Sequence, residues 1–121
     1  MGIKGGDVKD LGTIEVGTGE TAYSAAVERS GYERFGLHLI PSGATPSVKV
    51  FLQYRPDSSS TDKWAEDSTT QADISVTDTP VCESITVKNM KEFRLKFVGG
   101  AGNGADVEIE VILYREGGDT G

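Results

Sequence analysis

The amino-acid sequence predicts an all-β domain, an antiparallel β-sandwich or jelly-roll-like fold of seven or eight short strands. Three observations lead there. From residue 35 onward apolar and polar side chains alternate with a period of two, the spacing that sends successive side chains to opposite faces of a strand. Stretches of helical periodicity are nearly absent, so no long helix is available for the crossovers of a parallel sheet. Sixteen glycines stand against four prolines, and Gly, Thr, Ser and Val each outnumber Leu and Ala, a balance that suits strands joined by tight turns.

The first clear strand carries Phe35, Leu37 and Leu39 on one face and Gly36, His38 and Ile40 on the other; residues 41–46 then read as a loop. Val48, Val50, Leu52 and Tyr54 resume the alternation. Read as a hairpin, the two runs place Leu37 opposite Val50 and Phe35 opposite Leu52, core facing core. A second hairpin is expected further on. Phe93, Leu95 and Phe97 alternate with Arg94 and Lys96, and after a glycine-rich stretch Val107, Ile109, Val111 and Leu113 alternate with Glu108 and Glu110. A turn centred near Gly102 sets Phe97 against Val107, Leu95 against Ile109, Lys96 against Glu108 and Arg94 against Glu110. Exposed ion pairs contribute only about 0.2–1 kcal/mol each, so these report register more than stability. Weaker strands are expected over residues 12–17, 21–28, 72–77 and 81–88, the last with Ile85 and Val87 inward. Over residues 21–27 a short helix competes, because Ala22, Ala25 and Ala26 have high helix propensity.

The length of 121 residues fits one core. The expected division is an N-terminal arm over residues 1–10, one sandwich domain over 11–116 and a tail over 117–121. A net charge of −7 and a pI near 4.6 give a field of the wrong sign for phosphate backbones or anionic lipid, so neither nucleic acid nor a membrane surface is an expected partner. Cys82 is the only cysteine, which leaves the apolar core to hold the fold and suits a reducing compartment. The first residues lack the apolar segment of a signal peptide and no apolar run approaches the roughly 18 residues of a membrane span, so synthesis in the cytoplasm is expected.

Catalytic chemistry finds little support. His38 is the sole histidine, it lies in an alternating strand, and no nucleophile elbow surrounds any serine. Ser60-Thr-Asp-Lys63 matches S-x-x-K by letter without the partner motifs of that chemistry. The glycines from Gly100 to Gly104 precede a strand and not the helix N-terminus that phosphate binding requires, so they read as a hairpin loop, as does the stretch from Gly17 to Thr21. The residues from Asp57 to Asp62 open like a calcium loop but lack its glycine and its closing glutamate; a solvated acidic loop is expected, with at most a weak surface cation near residues 57–67. Cys82 reads as a small apolar filler. Neither a cofactor nor a transition metal is expected. Trp64 is the one tryptophan, and it reads either as a cap over the end of the core or as a stacking platform for a sugar, with Tyr54 and Asp57 beside it.

The segment Val-Lys-Val-Phe-Leu-Gln-Tyr-Arg-Pro-Asp followed by Ser-Ser-Ser-Thr-Asp-Lys-Trp-Ala-Glu-Asp, residues 48–67, resembles a motif of small β-sandwich proteins in tailed-phage virions, and the run over residues 91–113 is similar to their closing strands. The two cover roughly a third of the chain, and the motif is structural. The resemblance implies a non-enzymatic viral structural protein located in the virion: a capsid decoration (head accessory) protein, and next a tail or connector component. Its expected partner is a capsid or other virion protein presenting a repeating surface, and a homo-oligomer is expected. Ile3 and Val8 in the arm, and Phe51, Ile112 and Tyr114 at outward positions of their strands, are the candidate interface residues. The alternative is a carbohydrate-binding module using Trp64, Tyr54 and Asp57, and a hydrolase stands third.

Overall fold

A computed structural model describes residues 8–29, 31–43, 46–56, 63–88, 90–100 and 107–116. Among them there is no helix, and the strands are β1 (Val8–Val16), β2 (Thr21–Tyr23), β3 (Val27–Glu28), β4 (Arg34–Gly43), β5 (Val48–Arg55), β6 (Ala65–Ile74), β7 (Val81–Thr86), β8 (Glu92–Gly99) and β9 (Val107–Glu116). They form two antiparallel sheets packed as a sandwich. The first has the order β1-β9-β4-β7; the second has the order β2-β8-β5-β6, with β3 also pairing β8. Counting β2 and β3 as one interrupted strand gives eight, and the pairings β1 with β9, β2/β3 with β8, β4 with β7 and β5 with β6 are those of a long two-stranded ribbon rolled into a jelly roll.

That topology overturns both expected hairpins. In a rolled ribbon only the two central strands are neighbours in both sequence and sheet, here β5 and β6. β4 and β5 lie in different sheets, as do β8 and β9. Leu37 stands opposite Glu83 and Leu113, and Phe35 opposite Ile85 and Arg115. Arg94 pairs with Gln53 and Lys96 with Phe51, while Glu110 lies between Thr13 and Ile40 in the other sheet. The alternation was a sound guide to which side chains point inward: Phe93, Leu95, Phe97, Val107, Ile109, Val111 and Leu113 are all buried, as are Ile85 and Val87. It carries no information about which inward row is a ladder neighbour and which lies across the core, because both sheets contribute such rows. The stretches from Gly17 and from Gly100 likewise join different sheets and are not hairpin loops.

Local chemistry explains the irregular points. Ser24 is buried, its N–H donates to the Leu95 carbonyl at 2.9 Å, and its hydroxyl accepts from the Leu95 N–H at 2.9 Å. The side chain thus takes the place of a ladder carbonyl, and between the Tyr23–Lys96 and Val27–Phe93 pairs one strand advances four residues while β8 advances three. That bulge, and not the competing helix, splits the strand expected over 21–28. In β1 the register shifts between Asp10 and Gly12, where Gly12 adopts φ +81° and donates its N–H to Asp10 Oδ1 at 2.8 Å. β1 begins at Val8, so residues 8–10 of the expected arm belong to the sheet, paired with Tyr114, Leu113 and Ile112. On the edge strand β6 the register slips between Val50 and Leu52, and Asp67 Oδ1 accepts the Thr69 N–H there; a bulge of this kind blunts an edge against pairing with another chain.

Candidate functional site

The sandwich has two outer faces, and their chemistry differs. On the second sheet, outward residues of β2, β8, β5 and β6 form a polar and aromatic layer. Gln53 is its centre and is only 8% exposed. Arg94 Nε donates to Gln53 Oε1 at 2.7 Å, Gln53 Nε2 donates to Glu66 Oε1 at 3.2 Å, and Lys96 Nζ donates to the same Glu66 oxygen at 2.7 Å. Arg55 Nε donates to Glu92 Oε1 at 2.6 Å, with both side chains mostly buried. The guanidinium of Arg94 lies 4.0 Å from the Tyr23 ring centre and 4.4 Å from that of Trp64, and the guanidinium of Arg55 also lies 4.4 Å from Trp64. These are cation–π distances. The hydrogen bond from Lys96 is the main reason the Glu66 carboxyl titrates below the usual range, and the Thr69 N–H does the same for Asp67.

The first sheet's outer face is apolar and acidic. Val8 stands opposite Tyr114 on adjoining strands, Tyr114 opposite Gly36, and Ile112 opposite His38. The Tyr114 ring occupies the space a side chain at Gly36 would fill, covering a glycine in mid-sheet as aromatic neighbours do. Val8 is 66% exposed. His38 Nδ1 and Cys82 Sγ, opposite one another on β4 and β7, are joined by a hydrogen bond of 2.9 Å. Glu15, Glu108 and Glu110 are exposed beside this strip.

Three expected interface residues, Val8, Ile112 and Tyr114, thus fall on one face. Phe51 does not join them: it is outward on the second sheet, with Lys96 Nζ 5.9 Å from its ring centre. Ile3 and Asp57 lie outside the described residues, as does the acidic stretch up to Asp62. Tyr54 is corrected as a ligand contact, since it is 3% exposed with its hydroxyl accepting the Lys88 N–H at 3.2 Å, and burial pushes its phenol up. Cys82 is corrected as a filler, being exposed on the outward side of an edge strand. Trp64 is half-buried under arginines. Tyr23, Arg55, Arg94 and Gln53 were not singled out by sequence, because their grouping depends on the β2-β8-β5 order. Among the described residues no three His, Cys, Asp or Glu side chains converge as a metal ion would need.

No family model matches the chain, and no curated protein matches it. Solved structures do. The PBSX exported protein XepA is similar with a TM-score of 0.64 and 15% identity, over 97% of this chain and 39% of that one. The SPBc2 prophage-derived protein YomS has a TM-score of 0.52 and 10% identity, over 94% of this chain and 98% of that one. The Yersinia pseudotuberculosis-derived mitogen has a TM-score of 0.51 and 10% identity, over 93% and 88%. This chain therefore spans well under half of XepA and nearly the whole of YomS, and at these identities the likeness is one of fold.

Proposed function

We propose that this chain is a non-enzymatic phage structural protein, a capsid decoration protein, that binds a repeating protein surface of the virion through the outer face of its first sheet. The observation that carries the reading is the placement of Val8, Ile112 and Tyr114 side by side on that face, next to a histidine and thiol with no cleft around them. Apolar side chains gathered on a face that strand alternation otherwise exposes suit coverage by a neighbour. The phage-derived origin of XepA and YomS, in the words that name them, supports the setting. A tail or connector location would use the same face. The partner is a capsid or other virion protein, and self-association on the same face makes a homo-oligomer.

A second reading, carbohydrate binding on the second sheet, is favoured by Tyr23 and Trp64 lying beside Gln53, Glu66 and Arg94. It ranks lower because guanidinium groups already lie over both rings. Light scattering and co-sedimentation with phage particles, run on the full chain and on a chain lacking residues 1–7, test the first reading. Association with particles or self-association by the full chain is expected. A protein that stays monomeric at high concentration and ignores particles refutes it, and selective binding on a glycan array would establish the second reading in its place.

A further inference from the structure

At one open end of the sandwich the inward rows change character. Elsewhere on the first sheet inward positions such as Val16, Leu37, Ile109 and Val111 are buried and apolar. At this end Lys9 stands opposite Leu113 and Arg115 opposite Phe35, and both of those partners are buried core residues. Directly paired residues share a face of the sheet, so both cations lie on the core side. With Val8 and, from the opposite sheet, Val27 they line a cavity of about 200 Å³ that is open on one side. The chain carries a net charge of −7, yet this lining holds two cations and no carboxylate. Arg115 is held in place: its guanidinium lies 4.8 Å from the Tyr32 ring centre, and Nη2 donates to the Glu28 carbonyl at 3.4 Å.

We propose that this cavity binds a small aliphatic carboxylate, its hydrocarbon against Val27, Phe35 and Leu113 and its carboxylate between Lys9 and Arg115. The site is separate from the docking face and does not depend on it. Its volume exceeds the roughly 150 Å³ of an apolar cavity that admits benzene and falls short of the roughly 300 Å³ at which drug-sized pockets begin, which suits a chain of about five or six carbons. A cation already positioned by its neighbours loses little freedom on meeting a carboxylate, and charge-assisted hydrogen bonds are the strong ones. The competing account is that the stems of Lys9 and Arg115 merely close the end of the core with their charges in water.

Calorimetric titration of the full chain with hexanoate, hexanol and hexylamine separates the two, with methyl NMR shifts of Val27 and Leu113 locating the ligand. Hexanoate is expected to bind at least about tenfold more tightly than hexanol, with hexylamine weaker still, a tenfold step being what one good charged contact supplies. Lys9→Met and Arg115→Gln each weaken hexanoate about tenfold and leave hexanol unchanged; Lys9 lies near a strand end, so its variant remains informative if the arginine variant unfolds. A short peptide ending in leucine, compared with its C-terminal amide, identifies the source. Binding of the free-acid peptide alone points to a protein C-terminus, and binding of hexanoate without the peptide points to a free acid. Equal affinities for hexanoate and hexanol, absence of methyl shifts at millimolar hexanoate, or unchanged hexanoate affinity in both variants overturns the proposal.

Discussion

Replacing Arg94 by alanine removes the side chain that ties the second sheet's outer layer together. Three contacts go at once: the 2.7 Å hydrogen bond to Gln53 Oε1 and the guanidinium contacts with the rings of Tyr23 and Trp64. Each aromatic contact at a partly exposed site is worth about 0.5–1 kcal/mol. A hydrogen bond to a charged group contributes about 1.5–3 kcal/mol, towards the low end here because water reaches Arg94, while the nearly buried Gln53 oxygen loses its donor. The sum is about 2–3 kcal/mol, and Arg94→Lys, which keeps the charge without the planar fork, should lose about half of it. Urea unfolding followed by fluorescence reads this directly, since Trp64 is the only tryptophan and lies against the altered residue. Its emission should also move to longer wavelength as water reaches the ring. A loss under about 0.5 kcal/mol with unchanged emission would refute the claim that the layer is a coupled network.

Three further outcomes are expected. Glu66 and Asp67 titrate below their ordinary range when folded, so their contribution is full above the unfolded carboxylate range of about pH 4 and is lost as pH falls through the lowered folded values; Glu66→Gln should flatten that acid limb of a stability-versus-pH curve. Gly36→Ala drives the Tyr114 ring off the first sheet, at a cost of about 1 kcal/mol, seen as altered ring shifts by NMR and weaker association with particles. Adding Ca²⁺ to chelator-treated protein should leave the melting temperature within about 2 °C, because tight binding to the native state would raise it by linkage.

The inward rows were legible because a half-buried strand writes its burial into every second residue: Leu95 and Ile109 declare their faces whatever they pair with. Partnership is another matter. Phe97 and Val107 both face inward from opposite sheets, and nothing in their spacing distinguishes a ladder neighbour from a residue across the core. The outward ion pairs between Arg94 and Glu110 and between Lys96 and Glu108 looked like register signals only under the hairpin reading, and they fail with it. The same topology decided the sites. Val8, Ile112 and Tyr114 could each be seen as outward apolar residues, but their adjacency requires β1 and β4 on either side of β9. His38 and Cys82 are 44 residues apart and meet only because β7 closes the sheet. Tyr54 was misjudged because its even spacing with Leu52 outweighs the polar hydroxyl, which finds the Lys88 N–H inside the fold.

Co-sedimentation with phage particles of the full chain, Ile112→Glu and Trp64→Ala tests the proposed docking face most directly, with melting curves establishing that each variant is folded. Ile112 stands opposite His38 on the first sheet, and Trp64 lies under Arg55 and Arg94 on the second. The account predicts that the full chain and Trp64→Ala sediment with particles and that Ile112→Glu, folded, stays in the supernatant. Retention of Ile112→Glu on particles together with loss of Trp64→Ala would contradict it and move the interface to the opposite face.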